Sequence, residues 1–318
     1  MSWRRGRRLL PWLFAAAVLG LLFARLPRDQ VERALAAGPF GELAALAAAM
    51  AAVALLADAA ATHAAFTRIG VPRPFGQLVL ARGATYLLGL LHPAAGQGAL
   101  SLYLLRTGAE PGRAVAAVLL VFATQLGAMA LVAAGGMLLA AGTAGLRPPW
   151  EGFPALALLL GVFGACLAVL RLRPRWLARW RLLAPLFAAG ASGFLAATLA
   201  RVPHVLSMVL GLWLGLRLWG VALPPAQGLV LLSAVLLVTS LPLAPAGLGT
   251  TEAALVVLAS PYAPGGGVAA RQSLVLAFCV LYHLLGLAAQ AVAGLICLAL
   301  LPRSAKPLAE PAGPGAAA

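Results

Sequence analysis

Pro242-Leu243-Ala244-Pro245-Ala246-Gly247-Leu248-Gly249-Thr250-Thr251-Glu252 interrupts an apolar run and then lets it resume. The stretch before it, 227–241, has fifteen residues, about 22 Å as a helix. That is shorter than a hydrocarbon core of roughly 30 Å. Pro242 and Pro245 each remove a backbone donor and clash with the preceding turn. Gly247 and Gly249 allow tight turns. Thr250 or Thr251 then caps a new helix over 250–259, with Glu252 in its first turn, where the helix dipole favours a negative charge. The segment therefore reads as a broken helical hairpin.

A near copy lies upstream. The apolar stretch 77–91 meets His92-Pro93-Ala94-Ala95-Gly96-Gln97-Gly98 and resumes at Ala99 to Leu105. Two Gly/Pro-interrupted segments at corresponding places in two halves point to a transporter's midplane site. The competing reading is a pair of surface loops between spans.

The rest of the chain fits a bilayer and not water. It has 318 residues, 63% of them hydrophobic and 10% charged, with a mean hydropathy of +0.98. A soluble domain carries about 25% charged residues. Full spans are expected at 9–24, 43–66, 114–141, 154–170, 204–220 and 272–300, in one all-α, polytopic membrane domain over 1–302. The broken hairpins occupy 77–110 and 227–262, and a disordered Pro/Ala/Gly-rich tail occupies 303–318. The run Leu9 to Ala24 follows Arg4-Arg5-Gly6-Arg7-Arg8, as in a signal peptide, but further spans follow, so it reads as a retained first helix. Cys166, Cys279 and Cys297 lie in apolar runs and read as small hydrophobes. No metal, cofactor or catalytic set is expected from the scattered His, Cys, Asp and Glu.

The net charge of +15 reads as orientation in the bilayer rather than nucleic-acid binding. With a cytoplasmic amino terminus and both hairpins re-entrant, the arginines near 4–8, 68–73, 106–113, 171–181 and 201 fall inside, as the positive-inside rule requires. Both termini then face the cytoplasm, in a bacterial inner membrane. The segment 171–200 reads as a basic stretch followed by an interfacial helix. In this topology 43–141 and 204–300 form an inverted repeat.

Ionisable residues at membrane depth are functional candidates, since burying a charge costs about 2.5–3.5 kcal/mol on the lenient scale. Glu252 leads them. Asp58, with Thr62 one turn on and His63 beside it, reads equally as a cation, proton or headgroup site and as a polar helix contact. Arg82 either snorkels inward or holds a phosphate. His283 is either proton-linked or a hydrogen-bonded interhelical histidine.

The stretch Leu241 to Ala253 resembles the Pro-Gly-Gly-Leu-Gly-x-x-Glu-Ala signature of the lysylphosphatidylglycerol synthase transmembrane (flippase-like) family. Pro93-x-x-Gly96-Gln97-Gly98 through Tyr103-Leu104-Leu105-Arg106 resembles that family's earlier Pro/Gly element. There are departures. Gln97, Ala99 and Leu100 stand where the family often has an acidic residue and an Arg; Val121 to Gln125 lack a charged pair; Ala246 replaces a glycine. The resemblance implies handling of membrane lipids or lipid-linked substrates without a synthase domain, hence no enzyme activity. The first expectation is a lipid transporter whose anionic headgroup binds at Arg82, Pro93, Gly96, Gln97, Gly98, Pro245, Gly247, Gly249, Thr250, Thr251 and Glu252, with Asp58 and His283 as a polar or proton relay. The alternative is a scaffold or subunit for a separate lipid- or glycan-synthesis enzyme. Nothing in the residues fixes the oligomeric state.

Overall fold

The computed structural model describes residue 13 and residues 16–91, 93–142, 153–180, 182–240 and 247–301. The described residues form helices joined by turns and short loops, with no strand among them. In chain order the helices are α1 Ala16–Arg25, α2 Arg28–Ala37, α3 Phe40–Ile69, α4 Phe75–Leu91, α5 Pro93–Arg106, α6 Pro111–Gly142, α7 Phe153–Leu172, α8 Arg175–Ala178, α9 Ala184–Leu218, α10 Pro225–Ser240, α11 Thr250–Ala259 and α12 Val268–Leu300. Among these, α3, α6, α9 and α12 are long and apolar enough to cross a membrane; α1, α4, α10 and the 156–172 part of α7 are shorter apolar helices. The expected spans 43–66, 114–141, 204–220 and 272–300 fall in or largely in the four long helices. Span 154–170 falls in α7, and 9–24 begins outside the described residues, as does the tail from 303.

Two stretches of chain follow one plan. Each starts with a long helix, α3 or α9, that stops at a left-handed glycine: Gly70 at φ +76° and Gly220 at φ +75°. In both, the amide after the glycine reaches back over the last turn, from Val71 to Phe66 O and from Val221 to Leu216 O, each at 2.9 Å. This is the bonding of a helix-terminating glycine turn, which satisfies the last carbonyls. Both valines are 1% exposed. A side chain one helical turn or more upstream then ties down the loop: His63 Nδ1 lies 2.9 Å from Arg73 O, and Trp213 Nε1 donates to Leu223 O at 2.8 Å. Each loop leads through a proline, Pro74 or Pro224, into a short helix, a reversal, a second short helix and a closing long helix, α6 or α12.

The two stretches interlock. Among the described residues, helices α3 and α9 make the broadest contact. They run antiparallel, with Asp58 on Arg201, Ala54 on His204, Met50 on Gly211 and Leu43 on Gly215. Each then lends its short helix to the other stretch: α4 packs on α12 and α10 packs on α6. Glycines make both crossings close. A Cβ at Gly83 would collide with Cys297 Sγ, and a Cβ at Gly136 would meet Ala226 O and Leu229 Cβ at 2.7 Å.

Two expectations need correction. The stretch 182–200 is not one separate interfacial helix: a kink at Gly190 (φ 66°, ψ −176°) divides α9 into two helical pieces, and the second carries 191–200 on into 204–218. One face of the second piece packs on protein, while Ser192 is exposed. Gly193, Phe194, Ala197, Thr198 and Arg201 are all buried, and Thr198 returns its hydroxyl to Phe194 O at 2.9 Å. Arg201 is therefore not a cytoplasmic surface charge. The first break is also narrower than 92–98. Helix α5 starts at Pro93, a residue that suits a first turn because its missing N–H is unneeded there. Gly96 and Gln97 are then helical. Gly96 lets α5 fold back onto α4, since a Cβ there would sit 3.1 Å from Gly89 Cα and 3.2 Å from Thr85 O.

Adjacent glycines separate close packing from simple tolerance. Gly136→Val should destabilise the fold by about 1–3 kcal/mol through overpacking against backbone. Gly135→Ala, whose Cβ meets nothing within 4 Å, should leave stability unchanged or raise it. Thermal unfolding of both variants in detergent micelles checks this.

Candidate functional site

A cavity of about 410 Å³ lies where the tips of both hairpins approach the α3–α9 contact. Its polar wall includes Asp58, Arg82, Gln97, His204, Thr251 and His283. Met50, Leu212, Leu236 and Leu255 make the remainder apolar, a lining suited to a molecule with one polar end.

Asp58 organises one side. It is 1% exposed, and its Oδ2 accepts from Arg82 Nε at 2.7 Å and Tyr86 Oη at 2.9 Å. Its Oδ1 is ion-paired to Arg201 Nη1 and accepts from Thr62 at 3.4 Å. Arg201 Nη2 in turn donates to Thr62 Oγ1 at 3.3 Å. The carboxylate thereby joins α3, α4 and α9. Arg82 is 7% and Arg201 is 1% exposed. Two buried guanidiniums thus share one buried carboxylate, leaving a surplus of one positive charge. Arg82 carries that surplus to the cavity wall, where its ring neighbour is Tyr86, 5.8 Å from the guanidinium carbon.

The other side is built by the turn before α11. Gly247 and Gly249 adopt φ of +76° and +82°, so the chain reverses on two left-handed residues. Gly247 O accepts from the hydroxyls of Thr250 and Thr251, both at 2.9 Å. Thr251 also lies 2.9 Å from Thr239 Oγ1, which pins α11 back on α10. Glu252 returns Oε2 to the Gly249 N–H at 2.6 Å, satisfying an amide that the helix start leaves open. Its Oε1 lies 2.6 Å from His283 Nδ1 on α12. Glu252 is 1% exposed and stands behind the wall; His283 forms the wall.

The structure therefore brings together Asp58, Arg82, Gly96, Gln97, Thr251 and His283 around one cavity. Gly247, Gly249, Thr250 and Glu252 support that wall from behind. Gln97 keeps a buried Oε1 without a partner among the described residues. Gly98 is exposed and does not line the cavity. Pro93 opens α5, and Pro245 lies outside the described residues. Arg201, His204 and Tyr86 were missed by the sequence reading. Arg201 and His204 stand three apart, hence on one helix face, in an otherwise apolar run, and that spacing was the available signal.

Removing Asp58 tests the cluster. Asp58→Asn leaves two guanidiniums unneutralised and should cost about 3–5 kcal/mol. Arg201→Leu should cost less, because Asp58 and Arg82 remain a neutral pair. The order of the two midpoints in thermal unfolding is the readout.

A family model described as "Lysylphosphatidylglycerol synthase TM region" matches residues 8–294. No curated protein matches the chain.

Proposed function

The chain belongs to the lysylphosphatidylglycerol synthase transmembrane family, and on that premise we propose that it moves an anionic lipid or lipid-linked headgroup between the leaflets of the cytoplasmic membrane, without catalysing a covalent step. The headgroup binds in the cavity between the two hairpins while its chains stay in lipid. The observation that carries this reading is the surplus positive charge of the Asp58, Arg82 and Arg201 cluster. An uncompensated charge at that depth is costly. A phosphate or similar anion against Arg82 cancels the surplus. Arg82 Nη1 has no hydrogen-bond partner among the described residues, whereas Nε and Nη2 both bond Asp58. Gln97 supplies an amide on the adjoining wall.

Alternating exposure follows from reading α3–α6 and α9–α12 as an inverted repeat. Three observations support it: the matched glycine turns, the antiparallel contact of α3 with α9, and the exchange of short helices between the halves. In that reading α4–α5 enters the bilayer from the cytoplasmic side and α10–α11 from the outer side, both termini are cytoplasmic, and the reversals meet near the midplane.

Reconstitution into vesicles of phosphatidylcholine with a trace of headgroup-accessible fluorescent phosphatidylglycerol tests the reading. In protein-free vesicles a membrane-impermeant quencher should reach about half the label, the outer leaflet's share of a bilayer lipid. With the protein, nearly all should become accessible, and Arg82→Gln should slow that phase at least tenfold. An unchanged rate across phosphatidylglycerol, cardiolipin and a polyprenyl phosphate would sink the proposal.

A further inference from the structure

A headgroup entering the cavity displaces water, and it must replace the hydrogen bonds that water gave the wall. Two wall atoms can be satisfied only by a donor. The first is Nε2 of His204. This residue lines the cavity and is 9% exposed, and its Nδ1 lies 3.1 Å from Ala54 O. A carbonyl only accepts, so Nδ1 carries the hydrogen. Arg201 stands one turn away on the same helix face, and with Arg82 and Asp58 it leaves a surplus positive charge. A further cation in this buried place is unfavourable, so the ring is neutral. Its Nε2 is therefore a bare acceptor, and it has no partner among the described residues. The second atom is Oε1 of Gln97, on the wall given by α5. It is buried and likewise unpartnered among the described residues.

The rest of the wall makes no such demand. The hydroxyls of Thr85, Tyr86, Ser207, Thr239 and Thr251 already give their hydrogens to Arg82 O, Asp58 Oδ2, His204 O, Val235 O and Gly247 O. Tyr282 can donate or accept, and His283 is engaged by Glu252. Arg82 Nη1 is the charged donor left open by Asp58. The wall thus asks for an anionic oxygen at Arg82 and for hydrogen donors at His204 and Gln97. An ammonium group could donate, but it would make a phosphate headgroup zwitterionic and leave the surplus charge uncancelled. A methylated or alkyl headgroup donates nothing and strands both acceptors. A hydroxyl donates without adding charge.

We propose that the headgroup is a hydroxylated phosphodiester, a glycerol or a sugar joined through phosphate. Its hydroxyls donate to His204 Nε2 and Gln97 Oε1 while the phosphate meets Arg82. This inference rests on the anionic-headgroup reading above and names the class of headgroup within it.

The test compares lipids that differ only in the donor. Dihexanoyl phosphatidylglycerol and dihexanoyl phosphatidylpropanol share one phosphodiester and one charge, but propanol lacks both glycerol hydroxyls. Calorimetric titration of the purified full chain in neutral micelles should give phosphatidylglycerol an affinity about tenfold higher, the worth of one to two hydrogen bonds. Phosphatidylethanolamine of the same chain length should bind more weakly than phosphatidylglycerol. The amide of His204→Asn can still donate to Ala54 O but places no acceptor at the Nε2 position, so the ratio of the two anionic lipids should fall toward one. His204→Gln reaches that position and should restore part of the ratio. Gln97→Leu should also lower it, and provides the measurement if the His204 variants do not fold. Arg82→Gln should weaken both anionic lipids together. Equal affinity of those two lipids in the unmodified protein, or a ratio that survives both His204→Asn and Gln97→Leu, overturns the inference and leaves the transport reading standing. Tighter binding of phosphatidylethanolamine than of either anionic lipid, or no binding of any of the three, overturns both.

Discussion

The carboxylate of Asp58 holds the two halves of this protein in register. It is nearly inaccessible, yet it pairs with Arg82 from its own half and with Arg201 from the other. Desolvating three charges is expensive, and a buried pair seldom repays that cost in stability alone. What such a cluster fixes is geometry. Asp58 can meet both guanidiniums only if α3 and α9 run antiparallel at one particular stagger and α4 lies across them. The cavity is then a consequence of where those three helices meet. The charge cost is also what gives the site a preference, because three charges that do not sum to zero favour an anion.

Around that cluster, backbone chemistry sets the shape. An unpaired N–H or C=O away from water is as costly as a lost hydrogen bond. The turn before α11 answers this with side chains: Glu252 accepts the Gly249 amide, and Thr250 and Thr251 donate to the Gly247 carbonyl. The α4–α5 reversal answers it differently, by running α5 as helix from Pro93 and pressing Gly96 against α4. Two hairpins with the same role thus use different local means.

This difference explains what the residues alone revealed. The reversal at Gly247–Glu252 was legible because the turn glycines and Glu252 lie within six residues, although Gly249 and not Thr250 or Thr251 takes the cap position, and both threonine hydroxyls donate to Gly247 O instead. The pairing of Glu252 with His283 spans 31 positions and that of Asp58 with Arg201 spans 143, so neither could be read from spacing. The stretch 182–200 was misread for a related reason. Gly, Ser and Thr within an apolar run suit an interfacial helix and a tightly buried one equally well. Only the neighbours decide, and here Thr198 and Arg201 face α6 and α3. Gly96, Gln97 and Gly98 read as helix breakers in isolation. In the structure all three are helical and Gly96 allows the close approach of α5 to α4, so propensity yields to packing.

The halves repeat their turns but not their charges. Positions 150 residues apart share Gly70 with Gly220, Val71 with Val221 and Gln77 with Gln227, yet Asp58 corresponds to Met208, Arg82 to Leu232, and His204 to Ala54. The frame is conserved between halves where it shapes backbone, and it diverges where it faces the cavity. A duplicated frame tends toward two packings of similar energy, since each half can adopt the other's conformation. A single asymmetric charge set placed between them yields one binding site and not two. On the transport reading, this separates the labour. The repeated turns allow the cavity to change its opening, while the unrepeated charges decide what may occupy it when it does.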